Sequence, residues 1–241
     1  MSDLNIGLIA EGKTDFIVIE AALKAILDRP FVLKLLQPET SASFGAAGPH
    51  GGGWGGVYRW CRQVVSMECP IGTNPSLAGF DLVLVHVDSD VAGMRYEEAS
   101  IDDGRTDLPC ERPCPPAEDS VKALRTVVAG WLDLQSSANL PEQWAFCNPS
   151  KCTESWVVAA LYSHTEPLFM TGIECNPGME NWLSQRPIAE GRLIRSGKKK
   201  AAAYQSITRK ITGEWPNICG HCLQAERFQN EVRFALNGGQ A

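Results

Sequence analysis

Asp88 and Asp90 are the residues of this chain best suited to chemistry, because two carboxylates one residue apart directly follow an apolar run, Leu82 to Val87. A Val-rich run of that kind is what a parallel strand buried on both faces requires. Its acids then stand at the strand's carboxyl end, the edge of an open α/β sheet where ligands bind. If the strand is already opening into a loop, both acids can turn toward one divalent cation. A hard ion such as Mg²⁺ or Mn²⁺ takes a few carboxylate oxygens and keeps several waters. The plainer alternative is a solvated turn after a core strand.

Glu11 offers a third acid. Leu4 to Ala10 is a short apolar segment that runs into Glu11-Gly12-Lys13-Thr14-Asp15, and Phe16 to Leu27 then carries apolar residues at helical spacing. This reads as strand, tight turn and helix. Gly12 permits the turn, Thr14 or Asp15 caps the helix, and Glu11 is left at the strand's carboxyl end. If the two strands are neighbours, the three acids meet at one sheet edge. Glu154 falls in the first turn of an apolar helix, Ser155 to Tyr162, that follows a short strand at Trp144 to Cys147. The helix dipole favours an acid there whatever else it does.

A strand ending in Glu-Gly, a helix, and a later strand ending in Asp-x-Asp resemble the TOPRIM pattern of topoisomerases, primases and OLD-like nucleases. The glycine-rich loop before the Asp-x-Asp, and Thr153-Glu154-Ser155-Trp156 opening a helix after it, are similar to stand-alone TOPRIM-like proteins of bacterial defence systems. The resemblance implies a Mg²⁺- or Mn²⁺-dependent nuclease acting on DNA or RNA, with Glu11, Asp88, Asp90 and Glu154 around the metal and a late lysine, Lys199 or Lys200, beside the scissile phosphate. It also implies a partner ATPase on a separate chain, since none is present here. A homo-oligomer is compatible with it. Two other readings stay open: a non-catalytic subunit or sensor of a defence or toxin complex, and a metal-dependent nucleotide-sugar transferase, which also uses Asp-x-Asp.

The elements that must position these residues follow from the rest of the chain. Its 241 residues suit one α/β domain with an added segment. Strand 4–10, helix 14–28 and strand 31–36 form a right-handed βαβ unit. Residues 38–56 are a glycine-rich loop, either simply mobile or a lid whose amides and His50 approach a phosphate; it lacks the ending of a P-loop. Helices at 54–65 and 118–135 should cover the sheet. The expected fold is therefore TOPRIM-like and Rossmannoid, a mostly parallel sheet of four or more strands with helices on both faces. Its core spans 1–165, an acidic insertion interrupts it at 94–117, and a mainly helical extension, 166–241, packs on it.

Charge and cysteines narrow the partners. A net charge of −6 argues against coating nucleic acid by bulk charge, yet residues 192–213 hold Arg192, Arg195, Lys198, Lys199, Lys200, Arg209 and Lys210 with no acid among them. Helical spacing over Lys198 to Ile211 makes that strip either a solvated face or a phosphate-contacting one. No segment resembles an export signal or a membrane span, so the chain is expected to be cytoplasmic, without a membrane partner. Its nine cysteines then read as thiols. Cys110, Cys114, Cys219 and Cys222 would make a structural zinc site if the acidic segment folds back onto the terminal helix.

Overall fold

The computed structural model describes residues 3–39, 48–67, 69–162, 167–170, 172–186 and 192–238. Four strands form one parallel sheet in the order β2-β1-β3-β4: β1 (Leu4–Ile9), β2 (Phe31–Gln37), β3 (Leu82–His86) and β4 (Trp144–Cys147). The expected α/β class and four-stranded parallel sheet are present. β1 pairs with β2 on one side and β3 on the other. The strand order therefore reverses between β1 and β3, and a crevice opens at their carboxyl ends, where open α/β sheets bind ligands. Ile9 lies opposite Val85, so the chain leaves both strands at the same level.

Alternation along the strands splits the core into two layers. Leu4, Ile6 and Leu8 of β1 and Leu82 and Leu84 of β3 face one cluster, whereas Ile9, Val83 and Val85 face the other. The five residues of β3 are all buried, and each Val or Leu so removed from water contributes roughly 1.5–3 kcal/mol. On the first face lie α1 (Lys13–Ile26) and α4 (Glu154–Leu161). The chain passes from α4 through α5 (Pro167–Met170) and α6 (Met179–Ser184) to the C-terminal helices α7 (Ala201–Gly213), α8 (Trp215–His221) and α9 (Leu223–Leu236), which pack on this same face. On the second face, α2 (Gly53–Val65) and α3 (Glu118–Trp131) enclose stacked Trp54 and Trp131, with Tyr58 and Tyr96 edge-on to them.

The C-terminal part departs from the sequence reading at the basic strip. The expected helix from Lys198 begins at Ala201, and a hairpin of β5 (Ile194–Arg195) and β6 (Lys198–Lys199) precedes it. Ser196 and Gly197 both adopt positive φ, 51° and 70°. Two such residues make the turn that matches the twist of a two-residue hairpin, and this local chemistry overrides the helical periodicity. Residues 40–47 of the glycine-rich loop lie outside the described residues, so its reading as a lid is not addressed there. Its end is fixed: the Gly53 N–H donates to the Glu11 carbonyl (2.9 Å), and Gln37 donates to the Gly51 carbonyl (2.6 Å).

Two cysteine expectations are corrected. Cys114 is disulfide-bonded to Cys175, so these two are not thiols. The acidic segment folds back onto the turn before α6 rather than onto the terminal helix. Cys110 is exposed and Cys222 buried, and among the described residues the proposed set Cys110, Cys114, Cys219 and Cys222 does not gather around one point. No helix among the described residues is long and apolar enough to cross a membrane.

Candidate metal centre

The carboxyl edge of β1 and β3 gathers acids from several separate elements. Glu11, just past β1, accepts the Asp88 N–H on Oε1 at 2.8 Å, which ties the two strand ends directly. Asp88 is 7% exposed, and its Oδ1 lies 3.1 Å from His86 Nε2. Asp15, in the first turn of α1, is buried and accepts a 2.7 Å hydrogen bond from Thr153 Oγ1. Ligand atoms of Asp15, His86 and Asp88 all lie within 4.8 Å of one another. Asp90, two residues on, is reached by solvent.

The β4–α4 connection forms the other wall. Ser89 N–H donates to the Pro149 carbonyl (3.1 Å) and Asp90 N–H to the Lys151 carbonyl (3.2 Å), so the Asp-x-Asp turn is laced to residues 149–151. Asn148 Nδ2 donates to the Val87 carbonyl at 2.9 Å. Glu154 then enters at the start of α4 with a side chain that is 0% exposed. Its Oε1 takes the Tyr204 hydroxyl at 2.7 Å and the Lys199 ammonium at 2.8 Å, while Oε2 has no hydrogen-bond partner. Lys199 also contacts Glu180 at 2.8 Å. The hairpin explains that placement: β6 aims Lys199 inward, and Lys200, next along, remains exposed. Of the two lysines, only Lys199 joins the acids.

Electrostatics at this edge are dominated by crowding of like charge. Burial, then Asp88, with Asp15 and Asp90 behind it, raise the Glu11 carboxyl well above its usual range despite the opposing pull of His86. Asp88 is also raised, burial outweighing the help of His86. Packing around its carboxyl, then Asp88 and Glu180, push Asp90 up to about 7 even though solvent reaches the residue. For His86, burial works against the imidazolium, but Asp88 at hydrogen-bond distance, with Asp15 and Glu11, outweighs it and lifts the ring to about 9. Burial likewise opposes the charge on Lys199, and Glu154, Asp15 and Asp88 together keep it firmly protonated. Even so, the carboxylates Glu11, Asp15, Asp88, Asp90, Glu154 and Glu180 outnumber the cations Lys199 and His86.

The donor set fits a hard divalent cation. The atoms close enough to share one ion belong to two carboxylates and an imidazole, Asp15, Asp88 and His86, further acids crowd around them, and a buried oxygen of one of those acids, Glu154 Oε2, has no protein donor. Asp15 and His86 were not singled out in the sequence as functional. Asp15 had a signal: it shares the helix face of Val18, Ile19 and Ala22, all buried, so an acid at that position could not be a solvated cap. His86 had none, since one histidine in a strand reads as core.

Comparison with family models, curated proteins and solved structures finds no match to this chain.

Proposed function

We propose that this protein is a Mg²⁺- or Mn²⁺-dependent phosphodiesterase of TOPRIM type that cuts DNA or RNA. The observation that carries the reading is the meeting of Glu11 and Asp88 across the switch point, joined by the 2.8 Å hydrogen bond between them, with Asp15, Asp90, Glu154 and Lys199 around it. Acids from the ends of two parallel strands have no structural need to converge, because their mutual repulsion costs stability. A cation offsets that cost. Asp15 and Asp88, with His86 beside them, would hold one, and Glu11, Asp90 and Glu154 would surround it with further negative charge. Bound there, it would neutralise charge on a phosphate oxygen and lower the pKa of a coordinated water.

The chain's own groups supply the rest. Lys199, fixed between Glu154 and Glu180, is the cation able to face the negative charge that develops on a phosphate in the transition state. Tyr204 donates to Glu154 Oε1 and leaves Oε2 buried without a partner. His86 orients Asp88 through Oδ1. Asp90, with a carboxyl near 7 and contact with solvent, can hold or release a proton at neutral pH. Protons and a cation compete for these oxygens, so cation uptake should strengthen as pH rises through about 7.

The test is cutting of linear, supercoiled and single-stranded DNA and of RNA, with Mg²⁺, Mn²⁺ or EDTA. Metal-dependent products are expected, and Asp88→Asn with Asp90→Asn should abolish them. Cutting that survives this double change, or no cutting of any substrate, ends the assignment.

A further inference from the structure

A surface cleft includes Lys151 of the β4–α4 connection in its lining. It measures about 410 Å³ and is lined by Glu111, Arg112, Pro113, Cys114, Lys151, Cys175 and Pro177. Clefts that take small groups run from about 300 to 1,000 Å³. The Cys114–Cys175 disulfide fixes the acidic insertion against the turn before α6 as one wall. Lys151 is part of the lining, and its backbone carbonyl is the acceptor of Asp90 N–H, so the cleft adjoins the Asp-x-Asp turn.

The ion pair in this cleft is lopsided. The Lys151 side chain is 7% exposed and its ammonium meets Glu111 Oε1 at 2.9 Å, whereas the Glu111 side chain is 64% exposed. A lysine usually leaves its ammonium free to roam in water, at a large gain in rotamer entropy. Here the stem is packed away and the ammonium points one way, into a cleft whose mouth also carries exposed Arg112. An exposed partner such as Glu111 returns little stability, because water screens the pair. The arrangement makes more sense as a prepared anion site with a loosely held carboxylate in it.

We propose that this cleft binds a backbone phosphate of the substrate next to the one at the metal centre, with Lys151 as its cation and Glu111 as the carboxylate that the phosphate displaces. The proposal rests on the nucleic-acid reading above and specifies where the flanking strand runs. Arg112 lies at the rim and adds charge to the entering backbone.

The experiment measures binding of fluorescein-labelled single-stranded and duplex oligonucleotides by anisotropy in EDTA, from 50 to 200 mM salt, for wild type, Lys151→Gln, Glu111→Gln and Arg112→Gln. Lys151→Gln should weaken binding about 5- to 10-fold, and the slope of log K against log salt should fall by about 0.7–0.9, the signature of one lost phosphate contact. Glu111→Gln should tighten binding severalfold, and in cutting assays it should lower KM more than it changes kcat. A neutral-backbone analogue of the same sequence should not distinguish the variants. Because Glu111 is exposed, its variant decides the matter even if Lys151→Gln folds poorly. Wild-type affinity and salt slope in both variants, or weaker binding in Glu111→Gln, would overturn the subsite while leaving cutting untouched. Binding with the expected variant effects but without cutting would uphold the subsite and remove the nuclease reading; neither binding nor cutting would remove both.

Discussion

Glu11→Gln should make the metal-free protein more stable and the metal-loaded protein less so. The substitution keeps shape and keeps the acceptor, since a glutamine Oε1 can still take the Asp88 N–H at 2.8 Å. What it deletes is a charge that burial disfavours first and that also faces Asp88, Asp15 and Asp90. At an effective dielectric constant of 20, one such repulsion at 4 Å is worth about 4 kcal/mol. His86 offsets part of it, so a net gain of about 1–2 kcal/mol is expected in EDTA at pH 8. For a chain of this size that is a rise in Tm of about 2–8 °C. The sign depends on pH. The native state holds the Glu11 proton to higher pH than the unfolded chain, so between 4.5 and the raised native value the native state binds more protons and loses stability as pH rises. The gap between variant and wild type should therefore close toward pH 4.5 and open above it. With Mg²⁺ at a hundred times its Kd the wild type gains about 2.7 kcal/mol, and the order of the two Tm values should reverse. The assay is thermal or urea unfolding in EDTA and in Mg²⁺. A variant less stable than wild type in EDTA at pH 8 would refute the crowding, and an equal Mg²⁺ gain in both would remove Glu11 from the cation site.

Three further outcomes follow from single contacts. Lys199→Met leaves Glu154 buried with only Tyr204 as donor and should destabilise the protein by about 3–5 kcal/mol; paired with Glu154→Gln in a double-mutant cycle, a coupling under 0.5 kcal/mol would show that the pair does not form. Cys114→Ser opens a loop with a sequence separation of 61 and should cost about 4 kcal/mol in the chain-entropy account, so dithiothreitol should lower the Tm of the wild type but not of the variant. Gly7→Ala would bring a Cβ to 2.8 Å from Leu36 and 3.3 Å from Phe80. Overpacking of that kind costs about 1–3 kcal/mol, measured as a lower urea midpoint at unchanged m.

The parallel sheet was legible because β1 and β3 are mainly apolar runs, interrupted only by Asn5, Gly7 and His86, that lead to Glu11 and Asp88. Glu154 was legible only as a helix-start acid; its contact with Lys199 joins residues 45 positions apart through a hairpin, and no local pattern encodes that. The hairpin itself is written in Ser196-Gly197, a two-residue turn signal masked by the helical period that starts a few residues later. Lys199 and Lys200 could not be separated from sequence, because strand alternation decides which one faces in and the strand was not foreseen. The Cys114–Cys175 pair was missed for the opposite reason. Thiols were inferred from compartment, whereas the pairing reflects where the acidic segment packs, with the two Cα atoms 5.4 Å apart.

The way the charges are mounted bears on the proposed chemistry. Glu11 and Asp88 are fixed by strands in the centre of the sheet, and Asp15 and Glu154 by the first turns of helices buried against it. Of the two cations, His86 is fixed by β3 among the acids, whereas Lys199 comes from elsewhere: it sits on a two-stranded hairpin outside that sheet, held to the centre by Glu154 and Glu180. Rigid acids and a cation on a separate hairpin make a division of labour. The acids define where a metal would sit, and the hairpin sets how closely positive charge approaches a phosphate. Displacing the hairpin should therefore lower kcat while leaving Mg²⁺ affinity nearly intact. Gly197→Val tests this, because a β-branched residue resists the φ of 70° that the turn requires. Mg²⁺ titration by calorimetry should be close to wild type as cutting slows at least tenfold, and a parallel loss of Mg²⁺ binding would show that the hairpin and the acids form one unit.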